Sequence, residues 1–201
     1  MKKKLLSAVM VCALGFVGCG DDEEEGPPPP PATKFNTADS IRTYLDGKSM
    51  LMEGENIPSH PNGYSEDVNY GSASQCYQKV MMTNSGGNFT VNSTLATIRD
   101  TGCDHNAVSG NQSFTSTGVL IENVKEDASC FDITLTYVGF KQVGRGVLSQ
   151  DGKTLTLELY FEGQASGATC TTGAVGASTV TLNKAPFTGN AKQVYMVSAG
   201  Q

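Results

Sequence analysis

An alternation of apolar and polar residues is the feature that most constrains the fold of this 201-residue chain. In residues 130–138, CFDITLTYV, nearly every second side chain is large and apolar, and residues 154–162, TLTLELYFE, repeat the pattern. Successive side chains of a β-strand point to opposite faces, so a period of two predicts antiparallel strands with one buried face. Weaker runs of the same kind occupy residues 49–53, 75–84, 89–98, 112–124, 144–149, 177–183 and 192–198.

Turn signals separate several of these runs. The clearest are residues 85–88, SGGN, and Asp151-Gly152, and the Asp-Gly pair is the stronger hairpin signal. Before the strands, one helix is predicted between an N-cap at Thr37 and a glycine stop at Gly47. The sequence therefore predicts an all-β fold, an antiparallel meander barrel or sandwich of eight or nine strands with one short N-terminal helix.

The number and order of these strands resemble lipocalin-like barrels. The likeness is one of architecture, because the chain contains no tryptophan and so lacks the glycine-x-tryptophan signature of that family's first strand. The shape of the barrel interior would distinguish between two kinds of function. An open apolar interior is expected of a ligand carrier, and a filled core of a protein that works from its surface.

The N-terminus is typical of a targeting segment. Lys2–Lys4 form a basic start, and Leu5–Val17 form an apolar run that is long enough for a signal peptide and too short to span a bilayer. Residues 16–19, FVGC, resemble the lipobox of bacterial lipoproteins, with phenylalanine where leucine is usual. The resemblance implies cleavage before Cys19 and acyl chains on its sulfur and amino group, which would hold the protein on a membrane. The alternative is ordinary secretion, with cleavage after Gly15.

An acidic run, Asp21–Glu25, and a proline run, Pro27–Pro31, follow Cys19. Mutually repelling carboxylates stay extended, and five prolines in the polyproline II conformation form a stiff spacer of about 15 Å. Gly20, where retained lipoproteins carry aspartate, implies by the same resemblance an outer-membrane lipoprotein that faces the periplasm or the cell surface. The predicted organisation is a signal peptide at 1–18, a lipidated cysteine with its tether at 19–34, and a single β domain at 35–201.

The domain contains four cysteines, Cys76, Cys103, Cys130 and Cys170. An even number in an exported chain indicates two disulfides, with buried free thiols as the alternative. Four cysteines allow three pairings, and the order of strands and turns favours Cys76 with Cys103 and Cys130 with Cys170. The second pairing assumes that residues 130–149 form one long bent strand.

The charge of the chain excludes one class of partner. The net charge is -6, and no cluster of lysine and arginine follows the leader, so the electrostatic footprint of a nucleic-acid-binding protein is missing. The expected partners are a membrane, reached through the acyl chains on Cys19, and an unidentified small ligand, glycan or protein. The sequence predicts no cofactor and no metal site.

Groups suited to catalysis are few, and the two histidines are His60 and His105. Residues 103–106, CDHN, place a thiol beside a base, but neighbours in one loop rarely face a common reacting atom. A disulfide cysteine in a polar turn is therefore the favoured interpretation. Residues 144–146, GRG, are interpreted as a strand or turn feature, because no helix follows that could hold a phosphate.

The predicted binding site is a long loop at residues 56–70, NIPSHPNGYSEDVNY. Long ordered loops between strands are often binding loops, and rigid aromatics beside hydrogen-bonding groups suit a peptide, glycan or small ligand. A loop that only covers one end of the barrel is the alternative. The residues expected to contact the ligand are His60, Tyr64, Glu66, Asp67 and Tyr70.

These observations together predict a membrane-anchored envelope lipoprotein with a non-enzymatic β domain that binds a ligand or partner. One alternative is a hydrolase that uses His60 or the carboxyl groups of Glu66 and Asp67. The other is a structural envelope component that needs only its anchor and its surface.

Overall fold

The computed structural model describes the greater part of the predicted β domain. The described residues are 33–57, 76–100, 102–161, 169–171, 181–182, 185–186 and 192–200. The leader, Cys19 and the acidic and proline runs lie outside this set, as does most of the predicted binding loop.

One helix precedes the strands, as predicted. The helix α1 spans Ala38–Leu45 and begins with a reciprocal pair of hydrogen bonds between Thr37 and Ser40. The Ser40 N–H donates to Thr37 Oγ1 at 3.2 Å, and the Thr37 N–H donates to Ser40 Oγ at 3.3 Å, so two amides of the first turn have partners. Gly47 follows the helix with a φ of 67°, a conformation that glycine adopts without strain.

Eleven strands follow α1 within the described residues. They are β1 (Lys48–Glu53), β2 (Tyr77–Ser85), β3 (Asn88–Arg99), β4 (Gly102–Thr115), β5 (Gly118–Glu122), β6 (Phe131–Tyr137), β7 (Phe140–Leu148), β8 (Thr154–Phe161), β9 (Thr181–Leu182), β10 (Ala185–Pro186) and β11 (Lys192–Ala199). A 3₁₀ turn, Gly54–Asn56, follows β1.

Nine of these strands form one antiparallel sheet that curls into a half-barrel. The order across the sheet is β4-β3-β2-β1-β11-β8-β7-β6-β5, and β9 pairs separately with β10. Most neighbours in space are neighbours in sequence, which is the meander arrangement. The predicted all-β antiparallel fold with one short helix is therefore confirmed.

The curl follows from a short connection between the two edges of the sheet. Strands β4 and β5 lie at opposite edges, yet only Ser116 and Thr117 join them. Three Cα–Cα steps reach at most about 11 Å, so the two edges must converge at this end. Ser116 fixes the crossing, because its N–H donates to the Phe89 carbonyl oxygen and its Oγ accepts from the Phe89 N–H, both at 2.8 Å.

Three hairpin turns differ in how well the sequence predicts them. Gly86-Gly87 forms the predicted two-residue turn between β2 and β3, with φ values of 59° and 81°. The Asp151-Gly152 signal also marks a turn, but the connection between β7 and β8 is a longer loop, residues 149–153. Of the two turns that the sequence predicts, the diglycine turn is therefore the tighter one, and the Asp-Gly turn is the longer one.

The third turn, Val138-Gly139, corrects the prediction of one bent strand over residues 130–149. Tyr137 pairs directly with Phe140, so β6 and β7 form a two-residue hairpin. The turn was missed because Val138 is apolar and continues the hydrophobic run, although its side chain is 85% exposed. Gly139, with a φ of 91°, carries the turn.

The concave face of the sheet is filled by side chains. Alternate residues of β6 and β8 point inward, as their period of two predicts, and α1 adds Ile41 and Leu45. Such mutual burial of apolar side chains is the main stabilising term of the fold. The inward residues with at most 2% exposure include Met50, Met52, Val80, Met82, Phe89, Ile121, Phe131, Ile133, Leu135, Leu148, Leu155 and Leu157.

Two disulfides join the predicted pairs. Cys76 bonds to Cys103 and Cys130 bonds to Cys170, with Cα atoms 5.5 and 5.8 Å apart. Both pairings are confirmed, although the reason given for the second was wrong. Cys130 precedes β6, and Cys170 is held near that strand because its N–H donates to the Asp132 carboxylate at 2.6 Å. Within the described ranges, no helix is both long and apolar enough to span a membrane.

Candidate functional site

The predicted binding loop falls largely outside the described residues. Only its first two residues, Asn56 and Ile57, are described, and Ile57 packs into the core with 8% exposure. The loop residues predicted to contact a ligand, His60, Tyr64, Glu66, Asp67 and Tyr70, lie outside the described set, so that assignment stays a prediction. The same holds for lipidation at Cys19.

The stretch around His105 contains a disulfide cysteine and not a nucleophile. His105 Nδ1 lies 2.7 Å from the Tyr77 carbonyl oxygen, so this nitrogen carries the proton and donates it. It also lies 3.5 Å from Cys103 Sγ, but that sulfur is bonded to Cys76. The disulfide interpretation of residues 103–106 is confirmed. The expected turn is wrong, because these residues begin strand β4.

Three aspartates, Asp104, Asp127 and Asp151, are held in their ionised form. The Arg99 guanidinium donates to Asp104 at 2.8 Å and lowers the pKa of that carboxyl group. Hydrogen bonds from Ser129 and Ser149 lower the pKa of Asp127 and Asp151 in the same direction. A general acid needs the opposite shift, so none of these three carboxyl groups is suited to donate a proton near neutral pH.

Two buried tyrosines show the opposite effect of burial. Desolvation raises the pKa of Tyr137 to about 12 and raises that of Tyr77 further, so both hydroxyl groups remain protonated. Tyr137 stacks on Phe140, with ring centroids 4.6 Å apart. These are the properties of core residues. In the part of the chain that the structure describes, no three His, Cys, Asp or Glu side chains are grouped as metal ligands.

A cleft of about 260 Å³ lies beside the last turn of α1, between the β2–β3 hairpin and β5. We call it the helix-end cleft. Its apolar lining includes Leu45, Phe89 and Ile121, which are at most 2% exposed. The polar residues that line it are Arg42, Thr43, Asp46 and Asn84.

Hydrogen bonds across the helix-end cleft fix its walls. The Gly47 N–H donates to the Asn84 carbonyl oxygen at 3.0 Å, and the Gly86 N–H donates to Asp46 Oδ1 at 3.2 Å. These two bonds hold the end of α1 against the β2–β3 hairpin. On the other side, Arg42 Nη2 donates to the Ile121 carbonyl oxygen at 2.9 Å and joins α1 to β5.

Asn84 is the unusual residue of this cleft. It follows Val80 and Met82 on the inward face of β2, so its side chain is only 6% exposed. Its Oδ1 is buried and has no hydrogen-bond partner among the described residues. Buried polar atoms normally have partners, so this amide is an exception among the described residues.

A second, wider groove of about 670 Å³ lies along α1 near the start of the described chain. Phe35 and Tyr44 pack there with ring centroids 4.8 Å apart, and Lys48 Nζ lies 5.3 Å from the Tyr44 ring centre. Its charges are mixed, with Lys34 and Lys48 facing Asp39, Asp46 and Asp151. None of these residues is a fully buried polar group, so the groove has no counterpart of the buried Asn84 amide in the cleft.

The residues of the helix-end cleft were missed in the sequence because they come from three distant segments. The signal that could have found them is Asn84, which places a polar residue in the inward register of an otherwise apolar strand. No protein-family model matches this chain, and neither a curated protein nor a solved structure is significantly similar to it.

Proposed function

We propose that the chain is an outer-membrane lipoprotein, anchored through acyl chains on Cys19, whose β domain binds a ligand or partner without catalysing a reaction. The acidic and proline runs hold the domain away from the membrane. The domain presents its binding groups at its ends and loops.

The observation that carries this proposal is the pairing of all four domain cysteines. Two disulfides support an oxidising compartment outside the cytosol. They also leave no domain cysteine with which Cys19 could pair, and Cys19 stands at the end of the lipobox-like residues 16–19. Lipidation gives this remaining cysteine a role.

The packed interior supports a function at the surface. The inward side chains of the half-barrel are buried against one another, which is the arrangement expected of a protein that does not carry a ligand inside a wide barrel. The helix-end cleft, with its buried amide, is the described place best suited to binding. The loop at 56–70 is the site predicted from the sequence.

Cell fractionation tests the anchor. We expect the wild-type chain to sediment with membranes and to incorporate labelled palmitate, because two or three acyl chains give stable attachment. Cys19→Ala should lose both properties, while Cys12→Ala, which changes the other cysteine of the leader, should keep them. A wild-type chain that carries no label, or a Cys19→Ala chain that still carries it, contradicts the proposal.

A further inference from the structure

We propose that the helix-end cleft binds the ammonium group of a small primary amine with an apolar body. This inference rests on the proposed function, that the domain binds a ligand, and adds the ligand's chemical class and its site. It follows from the unpaired amide, the charge of the wall and the shape of the lining.

The first support is the buried amide of Asn84. Its Oδ1 accepts no hydrogen bond from the described residues, although its side chain is 6% exposed and lines the cleft. Holding an acceptor away from water without a partner is destabilising, and an apolar residue of similar shape would avoid the penalty. The last torsion of asparagine is soft, so the amide can turn toward a donor that enters the cleft.

The second support is the charge of the wall. Asp46 lines the cleft, and its carboxylate oxygen Oδ1 accepts a hydrogen bond from the β2–β3 turn. Asp46 also caps the C-terminus of α1, where the partial negative charge of the helix attracts cations. Both features favour an ammonium group over a carboxylate.

Arg42 is the one positive group that lines the cleft, and its charge is already engaged. Nη1 donates to Asp39 at 3.1 Å, and Nη2 donates to the Ile121 carbonyl oxygen at 2.9 Å. The guanidinium therefore repels a bound cation less than a free arginine would. It serves to hold α1 on β5.

The third support is the size and lining of the cleft. Leu45, Phe89 and Ile121 offer an apolar surface to the body of the ligand. An apolar cavity of ~150 Å³ holds one benzene, so a volume of about 260 Å³ accommodates roughly ten non-hydrogen atoms. An ammonium group brings three donors, for which Asn84 Oδ1 and the Asp46 carboxylate would be the acceptors.

Ligand-observed saturation-transfer NMR on the full-length chain, purified in detergent, tests the ligand class. The probes share one carbon skeleton: 3-methylbutylamine, 3-methylbutanol and 3-methylbutanoate. We expect the amine to bind with a dissociation constant on the order of millimolar, as suits so small a probe. The carboxylate should bind at least tenfold more weakly, and the alcohol in between.

Variants locate the binding site. Asn84→Leu should weaken amine binding at least tenfold and leave the melting temperature equal or higher, because it replaces an unpaired polar group with an apolar one of similar shape. Asp46→Asn keeps the acceptor for the turn and removes the charge, so it should weaken binding of the amine and leave that of the alcohol unchanged. Asp100→Asn, which removes an exposed carboxylate that lines neither the cleft nor the groove along α1, is the matched control and should change the binding of neither probe.

Four results would overturn the inference. Two concern the probes: the carboxylate binds as tightly as the amine or more tightly, or no probe binds, as in a cleft that holds only water. Two concern Asn84→Leu: it binds the amine as tightly as the wild-type chain does, or it melts at a lower temperature than the wild-type chain. None of them bears on Cys19, because fractionation and labelling test the anchor separately.

Discussion

Gly146 lies on the inward side of β7, where the ring of Phe131 takes the place of a side chain. A Cβ at position 146 would lie 2.5 Å from Phe131 Cζ and 3.0 Å from Leu157 Cδ2. Both neighbours are at most 2% exposed, so neither has free space into which it could move. Packing therefore explains the glycine, as expected of a strand feature in residues 144–146.

Gly146→Ala should lower the free energy of unfolding by about 1–3 kcal/mol, the usual cost of overpacking a core. Gly118→Ala is the matched control, since a Cβ there meets nothing within 4 Å and the residue also lies in a strand. Urea unfolding of both variants measures the difference. A Gly146→Ala protein as stable as the control would show that Phe131 can move aside.

Single residues also show what the sequence could not predict. The inward register of Phe131 and Leu157 follows from the period of two, but their approach to Gly146 depends on how two neighbouring strands pack. Asn84 likewise breaks the apolar register visibly, while its neighbour Asp46 joins the same cleft only through the fold. Local sequence patterns therefore predict which residues are buried, whereas the residues that meet in the cleft depend on contacts between distant segments.

At the scale of elements, strands were easier to predict than the turns between them. The diglycine turn can be recognised in the sequence, because both of its residues adopt positive φ, which glycine allows. The Val138-Gly139 turn cannot be recognised in this way, because Val138 is apolar and continues the hydrophobic run although it is exposed. The assumption of one long strand was wrong for this reason, although Cys130 is bonded to Cys170 as predicted.

The β7–β8 loop predicts a response to acid. Asp151 accepts hydrogen bonds from Ser149 Oγ at 2.6 Å and from the Lys153 N–H at 3.0 Å, and these bonds hold its pKa below the ordinary value of 3.8. Since the folded pKa is the lower one, the ionised carboxylate stabilises the folded chain in full only well above pH 3.8, and this stabilisation is lost as the pH falls through the folded pKa.

Unfolding by urea at several pH values checks this expectation. Stability should fall below pH 4 in the wild-type chain, and Asp151→Asn should reduce the steepness of that fall. Asp104 and Asp127 titrate in the same direction, so the variant should keep part of the dependence. An unchanged slope in Asp151→Asn would show that the loop does not contribute.

At the scale of the whole molecule, the half-barrel has a packed interior, and a small cleft lies where α1 meets the sheet. The period of two is a local signal and predicted the fold class. The order of strands and turns predicted the Cys76–Cys103 pair, whereas the Cys130–Cys170 pair was predicted from a long strand that the structure does not contain. The sequence did not predict the cleft, which needs three segments to meet. In the proposed function, a stiff acidic and proline-rich spacer at residues 21–31 joins this domain to a lipid anchor.

The most direct test of this account is the mass of the mature chain purified from membranes. Mass spectrometry of the intact chain and of its N-terminal peptide should find Cys19 as the first residue, with a diacylglyceryl group on its sulfur and an acyl chain on its amino group. The rest of the chain should retain two disulfides. A mature chain that begins elsewhere, or that begins at an unmodified Cys19, would contradict the proposal.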